Sequence, residues 1–81
     1  MLEELRNAKH VIGIKQVTKA VNNGLAKYVF LADDADDRIL NPLKTLCAGK
    51  EIQVVTGATM AELGKACSIE VGAAAAAIIN K

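Results

Sequence analysis

Residues 27–37 read Lys-Tyr-Val-Phe-Leu-Ala-Asp-Asp-Ala-Asp-Asp, a stretch that combines a strand pattern with a helix-capping pattern. Its first six residues are rich in aromatic, aliphatic and β-branched side chains, as is typical of a strand buried on both faces. Asp33, Asp34, Asp36 and Asp37 follow at once. Carboxylates suit the start of a helix because they cap its free amides and complement its dipole. We therefore expect a buried strand, followed by a helix that the aspartates cap.

Helical and strand patterns alternate along the rest of the chain. The predicted order is α-β-α-β-α-β-α-β, which indicates an α/β sandwich with helices on both faces of a sheet. The apolar spacing predicts a short first helix marked by Leu2, Leu5 and Ala8, and a strand at 11–12. A second helix begins at Ile14, with Val17 and Val21 on one face and Gly24 just past its end. A strand follows at 52–55, and then a helix through Leu63 and Ala66 that begins with a capping box of Thr59 and Glu62.

Two segments of the sequence give mixed signals. Pro42 either kinks the helix that follows the aspartates or starts a new helix capped by Asn41, and Gly49 ends this segment. Residues 71–79 include five consecutive alanines, and local propensity favours a helix there. A helix would leave only residues 68–71 to reverse the chain direction. We therefore predict a strand over residues 71–79.

The composition predicts one small domain with an aliphatic core. The chain has 81 residues, of which 52% are hydrophobic and only 2% aromatic. Charged residues make up 23% and the net charge is +1, which excludes a disordered charged tail as the main content. Cys47 and Cys67 form no metal-binding or redox motif, so we expect two buried, reduced thiols. The longest apolar run, residues 72–79, is far too short to span a membrane, so we expect no membrane partner.

Basic residues are concentrated in the first third of the chain, and residues 6–27 include no acidic residue. Lys15 and Lys19 are four positions apart and therefore lie on one helix face. The free amides of a helix N-terminus attract phosphate, and the amide of Gln16 can pair with a base edge. Gly13, directly before this helix, lets another backbone approach closely. The stretch is suited to nucleic acid, although solvated surface charge explains the same spacing.

The scarcity of aromatic residues restricts the type of nucleic acid. Tyr28 and Phe30 both fall in the predicted buried strand, so no aromatic platform is left for stacking single-stranded bases. What remains is recognition of a structured nucleic acid by its shape, its phosphates and a few base edges.

Four blocks of the sequence, taken together, are specific to one family. They are Gly-Ile-Lys-Gln-Val-Thr-Lys-Ala-Val at 13–21 followed by Gly24, Val-Phe-Leu-Ala-Asp-Asp-Ala-Asp at 29–36, Leu-Gly-Lys-Ala-Cys at 63–67, and Ile-Glu-Val-Gly-Ala-Ala-Ala at 69–75. In order and spacing, over nearly the whole chain, they resemble the L7Ae/L30e family of kink-turn-binding ribosomal proteins. The resemblance is closest to the short bacterial members of that family.

The resemblance implies a three-layer α-β-α sandwich around a four-stranded mixed sheet. It also implies binding to kink-turns, which are RNA internal loops with tandem sheared G·A pairs next to a bulge. Residue by residue, the resemblance implies that Lys15, Gln16 and Lys19 read the G·A pairs, that Gly13 and Ile14 lie against the RNA backbone, and that Ile69, Glu70 and Val71 pack on the extruded bulge nucleotide.

These implications lead to one leading hypothesis. Residues 1–81 form a single RNA-binding domain that is not an enzyme, needs no cofactor or metal, and stabilises the bent form of a structured RNA. The partner is a kink-turn in ribosomal RNA, in a riboswitch leader or in a ribonuclease P-like RNA. We expect a cytoplasmic monomer, ribosomal or ribosome-associated.

Two other hypotheses stay open on the sequence. Asp33, Asp34, Asp36 and Asp37 could hold Mg²⁺ in a small metal-dependent hydrolase, because hard oxygen ligands suit that ion. Alternatively, the chain is a protein-interaction module that has lost affinity for kink-turns. The second alternative arises because many archaeal and eukaryotic members have Asn-Glu where this chain has Lys15 and Gln16.

Overall fold

Within residues 2–79, the fold contains four helices and four strands in the predicted alternating order. The structure is a computed structural model that describes residues 2–79, with the backbone alone for residue 2. The predicted contribution of the Leu2 side chain therefore lies outside what is described, as do residues 1, 80 and 81 of the predicted domain. The elements are α1 (Leu2–Asn7), β1 (His10–Ile12), α2 (Ile14–Asn22), β2 (Ala26–Ala32), α3 (Asp37–Gly49), β3 (Gln53–Ala58), α4 (Met60–Ala66) and β4 (Ala75–Ile79).

The four strands form one mixed sheet in the order β1-β4-β2-β3. The last strand of the chain lies between the first two and pairs antiparallel with both, Val11 with Ala77 and Val29 with Ala77. β2 and β3 are parallel, with Val29 opposite Val54. The predicted four-stranded mixed sheet is confirmed.

The helices cover both faces of this sheet. On one face, Leu5 of α1 and Leu63 of α4 pack with Phe30 of β2. On the other face, Val17 of α2 and Leu43 of α3 belong to a second core cluster. The predicted three-layer α-β-α sandwich is confirmed, and its core is almost entirely aliphatic. Within residues 2–79, no helix is both long and apolar enough to cross a membrane.

The alanine-rich C-terminal segment forms a strand, but a shorter one than predicted. β4 begins at Ala75, and residues 71–74 belong to the preceding loop rather than to the strand. Ala75 and Ala77 face one core cluster, while Ala76 and Ile78 face the other. Small side chains let helices on both faces approach this central strand closely. Burial between two layers therefore overrides the helix propensity of alanine.

Two other boundaries differ from the sequence prediction. β3 continues past residue 55 to Ala58, beyond the polar Thr56 and the flexible Gly57, which concealed this extension. α3 is one continuous helix from residue 37 to 49, so the alternative of a new helix starting at Pro42 was wrong. The missing N–H of Pro42 leaves the Arg38 carbonyl without its helical partner, and both residues are exposed, so water can satisfy it.

Helix ends follow the predicted signals. Gly24 has a φ of 71°, and its amide donates to Val21 O while Leu25 N donates to Ala20 O. This pair of bonds is a Schellman cap, which confirms the expected left-handed position after α2. At the start of α4, the predicted capping box of Thr59 and Glu62 is present in both directions.

Candidate nucleic-acid interface

One end of the sheet brings the start of α2 next to the loop that precedes β4. We call this loop, residues 68–74, the 68–74 loop. The amide of Gly13 donates to Ala75 O over 2.8 Å, and Ala32 N donates to Ala74 O over 2.9 Å. β1, β2 and β3 all end here, while β4 begins here. The start of α2 and the 68–74 loop, more than fifty residues apart in sequence, therefore lie at the same end of the sheet.

Gly13 makes the sharp turn from β1 into α2. Its φ of 94° and ψ of 153° lie in a region that essentially only glycine occupies. The first hydrogen bond of α2 runs from Val17 N to Gly13 O over 2.9 Å. The amides of Ile14, Lys15 and Gln16 precede that bond and have no partner within the helix, and no side chain caps them. The first turn carries no acid, so the positive end of the helix dipole is not neutralised.

The side chains around this turn divide into exposed polar groups and one packing group. Lys15, Gln16 and Lys19 are all exposed, whereas Ile14 is half-buried and packs on the core cluster of the α2–α3 face. Among residues 2–79, the ion pairs are those of Asp36 and Asp37, and neither involves Lys15 or Lys19. Both lysines are therefore available to a negatively charged ligand.

The 68–74 loop contains the three residues that were predicted to pack on a bulge nucleotide, and these residues differ in exposure. The side chain of Val71 is 72% exposed, the most exposed of the large apolar residues described. Glu70 is also exposed, whereas Ile69 is half-buried and packs on the α1–α4 core cluster. Ile69 therefore anchors the loop, and Val71 and Glu70 are the residues that a ligand can reach.

α4 holds the 68–74 loop along one of its faces. Ile69 N donates to Gly64 O over 3.0 Å, and Ala73 N donates to Met60 O over 3.0 Å. Met60 and Gly64 are four residues apart and lie on the same helix face. A Cβ atom at Gly64 would overlap the carbonyl oxygen of Val71. Sequence reasoning used Gly64 only as part of a motif, although a glycine inside a helix already signals a close approach.

The acidic turn between β2 and α3 contains Asp33, Asp34 and Asp36, whose carboxylates all accept hydrogen bonds from backbone amides. Asp36 caps α3, as predicted: its carboxylate accepts from Arg38 N over 2.8 Å. Hydrogen bonds from the Arg38 side chain and amide lower the pKa of Asp36. Asp33 accepts from Gly57 N over 2.9 Å, and Asp34 accepts from the amide of Met60 over 2.8 Å. In the part of the chain that the structure describes, no cluster of His, Cys, Asp and Glu could hold a metal ion.

The bonds of Asp33 and Asp34 could not be expected from the sequence, which predicts capping of the adjacent helix instead. Their partners are 24 and 26 residues away, and no local pattern announces a cap across that distance. They fix the end of β3 and the start of α4 to the acidic turn.

The aromatic residues and the thiols are not among the exposed groups of this site. Phe30 is buried, whereas Tyr28 is only half-buried, with Lys27 Nζ 5.6 Å from its ring centre. Tyr28 faces Ile78 towards the far end of the sheet, so the expectation of a fully buried ring was wrong. Cys47 and Cys67 are free and buried, as predicted, and burial raises the pKa of both thiols.

Comparison with known proteins places the chain in a family. The model of the ribosomal protein L7Ae/L30e/S12e/Gadd45 family matches residues 2–81. This chain belongs to that family. Among its relatives, RNA-binding protein TTE2299 of Caldanaerobacter subterraneus subsp. tengcongensis is 45% identical over 85% of this chain and 84% of its own. RNA-binding protein YbxF of Geobacillus stearothermophilus is 41% identical over 94% of this chain and 93% of its own. The resemblance to short bacterial members is confirmed.

Solved structures of similar proteins agree with the L7Ae/L30e/S12e/Gadd45 assignment. The Giardia lamblia 15.5kD RNA binding protein superposes with a TM-score of 0.92 at 28% identity, covering 99% of this chain and 71% of its own. These relatives are named as RNA-binding proteins, and none of the names reported above is that of an enzyme. The expectation that the chain is not an enzyme is confirmed, and the hydrolase hypothesis for the acidic turn is set aside.

Proposed function

We propose that this member of the L7Ae/L30e/S12e/Gadd45 family binds kink-turn RNA with the start of α2 and the 68–74 loop, and stabilises the bent form. The observation that carries the proposal is the hydrogen bond from Gly13 N to Ala75 O. It joins a helix N-terminus with uncapped amides to the first residue of β4, which directly follows a loop that exposes an apolar side chain. Relatives named as RNA-binding proteins support an RNA ligand.

The start of α2 suits the G·A pairs and the phosphates around them. A kink brings two RNA helices together and crowds their phosphates, so positive charge at the junction relieves repulsion. Lys15 and Lys19 supply that charge, and the free amides of the first turn add hydrogen-bond donors. Gln16 has both a donor and an acceptor, so its amide matches the exposed edge of a purine. Gly13 and Ile14 lie close enough to the helix tip to meet the RNA backbone.

The 68–74 loop suits an unstacked nucleotide. Val71 offers an apolar surface without a ring, and Ile69 beneath it keeps the loop in shape. Glu70 can accept hydrogen bonds from an exocyclic amine. Ile69 contributes partly by supporting the loop. The proposed RNA-binding residues therefore form two groups: Gly13, Ile14, Lys15, Gln16 and Lys19 at the start of α2, and Ile69, Glu70 and Val71 in the 68–74 loop.

The RNA source and the setting stay predictions. Ribosomal RNA, a riboswitch leader and a ribonuclease P-like RNA can all carry a kink-turn, and the proposed surface recognises the shared bend. We treat residues 1–81 as one RNA-binding domain that acts as a monomer. Its cytoplasmic location and its ribosome association also stay predictions.

A binding comparison tests the proposal. The protein is titrated against a fluorescently labelled kink-turn RNA and against the same RNA with both G·A pairs replaced by Watson–Crick pairs. We expect tight binding to the first RNA only, together with a rise in energy transfer between dyes on its two arms as the bend is stabilised. Equal affinity for both RNAs contradicts the proposal. Binding to neither RNA contradicts it as well and leaves the protein-interaction hypothesis.

A further inference from the structure

The acidic turn is connected to the 68–74 loop through the first residue of α4. The carboxylate of Asp34 accepts the amide of Met60 over 2.8 Å. The carbonyl of the same Met60 accepts the amide of Ala73 over 3.0 Å. A Cβ atom at Gly72 would lie only 3.1 Å from Met60 Cβ, so the loop passes directly over this residue. The backbone of Met60 therefore binds the acidic turn through its amide and the 68–74 loop through its carbonyl.

Asp34 has the properties of a rigid support rather than of a ligand. Its carboxylate is negatively charged and exposed, so it repels phosphate and offers RNA no favourable charge. A hydrogen bond from an amide to a carboxylate is stronger than one between neutral groups. Because Met60 is the first residue of α4, its amide has no partner within the helix, and Asp34 takes that place.

We propose that Asp34 is a positioning residue for RNA binding: through Met60 and Ala73 it fixes the 68–74 loop so that Val71 meets the bulge nucleotide. The inference rests on the proposed function. It assigns the acidic turn a role in a positively charged site without any contact to RNA. It also predicts that removal of the Asp34 carboxylate harms one part of the interface, the loop side, and leaves the α2 side intact.

A double-mutant cycle between protein and RNA tests this inference. Affinities of the wild type and Asp34→Ala are measured for a kink-turn RNA with an intact bulge and for the same RNA with an abasic bulge nucleotide. For the wild type we expect the abasic change to lower affinity about fivefold, because it removes the apolar contact between Val71 and the base. For Asp34→Ala the abasic change should have almost no further effect, because Val71 no longer meets the base in that variant.

Variants of the same turn supply the controls. Asp37→Ala removes the same charge from an exposed side chain whose nearest cation, Lys44 Nζ, is 3.9 Å away. It should keep the full wild-type penalty for the abasic bulge. Asp34→Asn keeps an acceptor oxygen and should recover most of that penalty. Asp34→Glu moves the carboxylate by one methylene, should recover less than Asp34→Asn, and provides the measurement if the alanine variant does not fold.

The outcomes separate this inference from the proposed function. If Asp34→Ala weakens binding to both RNAs by the same factor, its role is general stability and the inference is overturned. The same holds if Asp34→Asn behaves like alanine while remaining as stable as the wild type in a thermal melt. If the wild type itself does not distinguish a kink-turn from its Watson–Crick counterpart, the proposed function fails first, and the inference falls with it.

Discussion

The carbonyl oxygen of Val71 occupies the space that a side chain at Gly64 would fill. A Cβ atom built at Gly64 would overlap this oxygen and would lie 3.1 Å from the carbonyl carbon of the same residue. α4 and the 68–74 loop therefore touch backbone to backbone, and neither can retreat without moving Ile69, which is anchored in the core. The most exposed apolar side chain of the candidate interface is thus placed by a contact that depends on the absence of a side chain elsewhere.

Gly64→Ala should damage both the fold and the interface. Forcing a methyl group into this contact is overpacking, which costs about 1–3 kcal/mol of unfolding free energy. We also expect weaker binding to kink-turn RNA, because the loop must shift. Urea denaturation and RNA titration measure the two effects.

Gly49→Ala is the matched control for that variant. Gly49 is the last residue of α3, and a Cβ atom there meets nothing within 4 Å. Alanine at this helical position should leave stability unchanged or raise it by up to about 1 kcal/mol. If both variants are equally stable, the close approach of α4 to the loop is not what positions Val71.

Gly13→Ala should distort the start of α2. With a φ of 94° and a ψ of 153°, Gly13 lies where an alanine is strained by about 1–3 kcal/mol. Space is not the reason, because nothing lies within 4 Å of the added Cβ atom. We expect a lower midpoint of urea denaturation and a lower RNA affinity at a temperature where the variant is folded. An unchanged midpoint would show that the turn tolerates another conformation.

Lys19→Ala should weaken RNA binding substantially. It should also flatten the dependence of log affinity on log salt concentration, by less than about one unit for each phosphate that the lysine no longer neutralises. Lys9→Ala is the matched control, because Lys9 carries the same charge at the opposite end of β1 from Gly13. Titrations at several salt concentrations compare the two. Equal reductions in affinity would mean that net charge, and not the α2 surface, drives binding.

The buried thiols predict a decline of stability in alkali. Burial raises the pKa of Cys47 and Cys67 above the usual value of 9.0. The unfolded chain therefore releases these protons at a lower pH than the folded chain. The contribution of the protonated thiols to the free energy of unfolding is thus complete below about pH 9, and it is lost as the pH rises through the raised pKa values. Between pH 7.5 and pH 10, the midpoint of urea denaturation should fall more for the wild type than for the double variant Cys47→Ala, Cys67→Ala. Equal falls would assign the effect to other groups.

The sequence predicts this fold well where local signals and tertiary packing agree. The capping box at Thr59, the Schellman glycine at 24 and the buried strand before the acidic turn all combine a local chemical signal with the packing of the folded chain. The strand was predicted to start four residues too early, because residues 71–74 are as apolar along the chain as the residues of β4 itself. Only the approach of helices from both faces decides which of them belong to the strand.

The candidate site shows the same division. The exposed positions Lys15, Gln16 and Lys19 could be proposed from a resemblance and from helix periodicity, since both are local in sequence. The contacts that position the 68–74 loop could not be predicted from the sequence, because they include a hydrogen bond between a side chain and a backbone amide far away in sequence. The bond from Asp34 to Met60 spans 26 residues, and nothing in either segment announces the other.

NMR can map the RNA contact residue by residue on the protein itself. In amide NMR spectra of the labelled protein, addition of kink-turn RNA should shift the resonances of Ile14, Lys15 and Gln16 together with Val71. The amides of Lys44 and Lys50, on and just after α3, should stay in place. Shifts concentrated on α3, or shifts at the α2 start that appear equally with a straight duplex of the same length, would contradict the proposal that this helix tip and this loop bind the bent RNA.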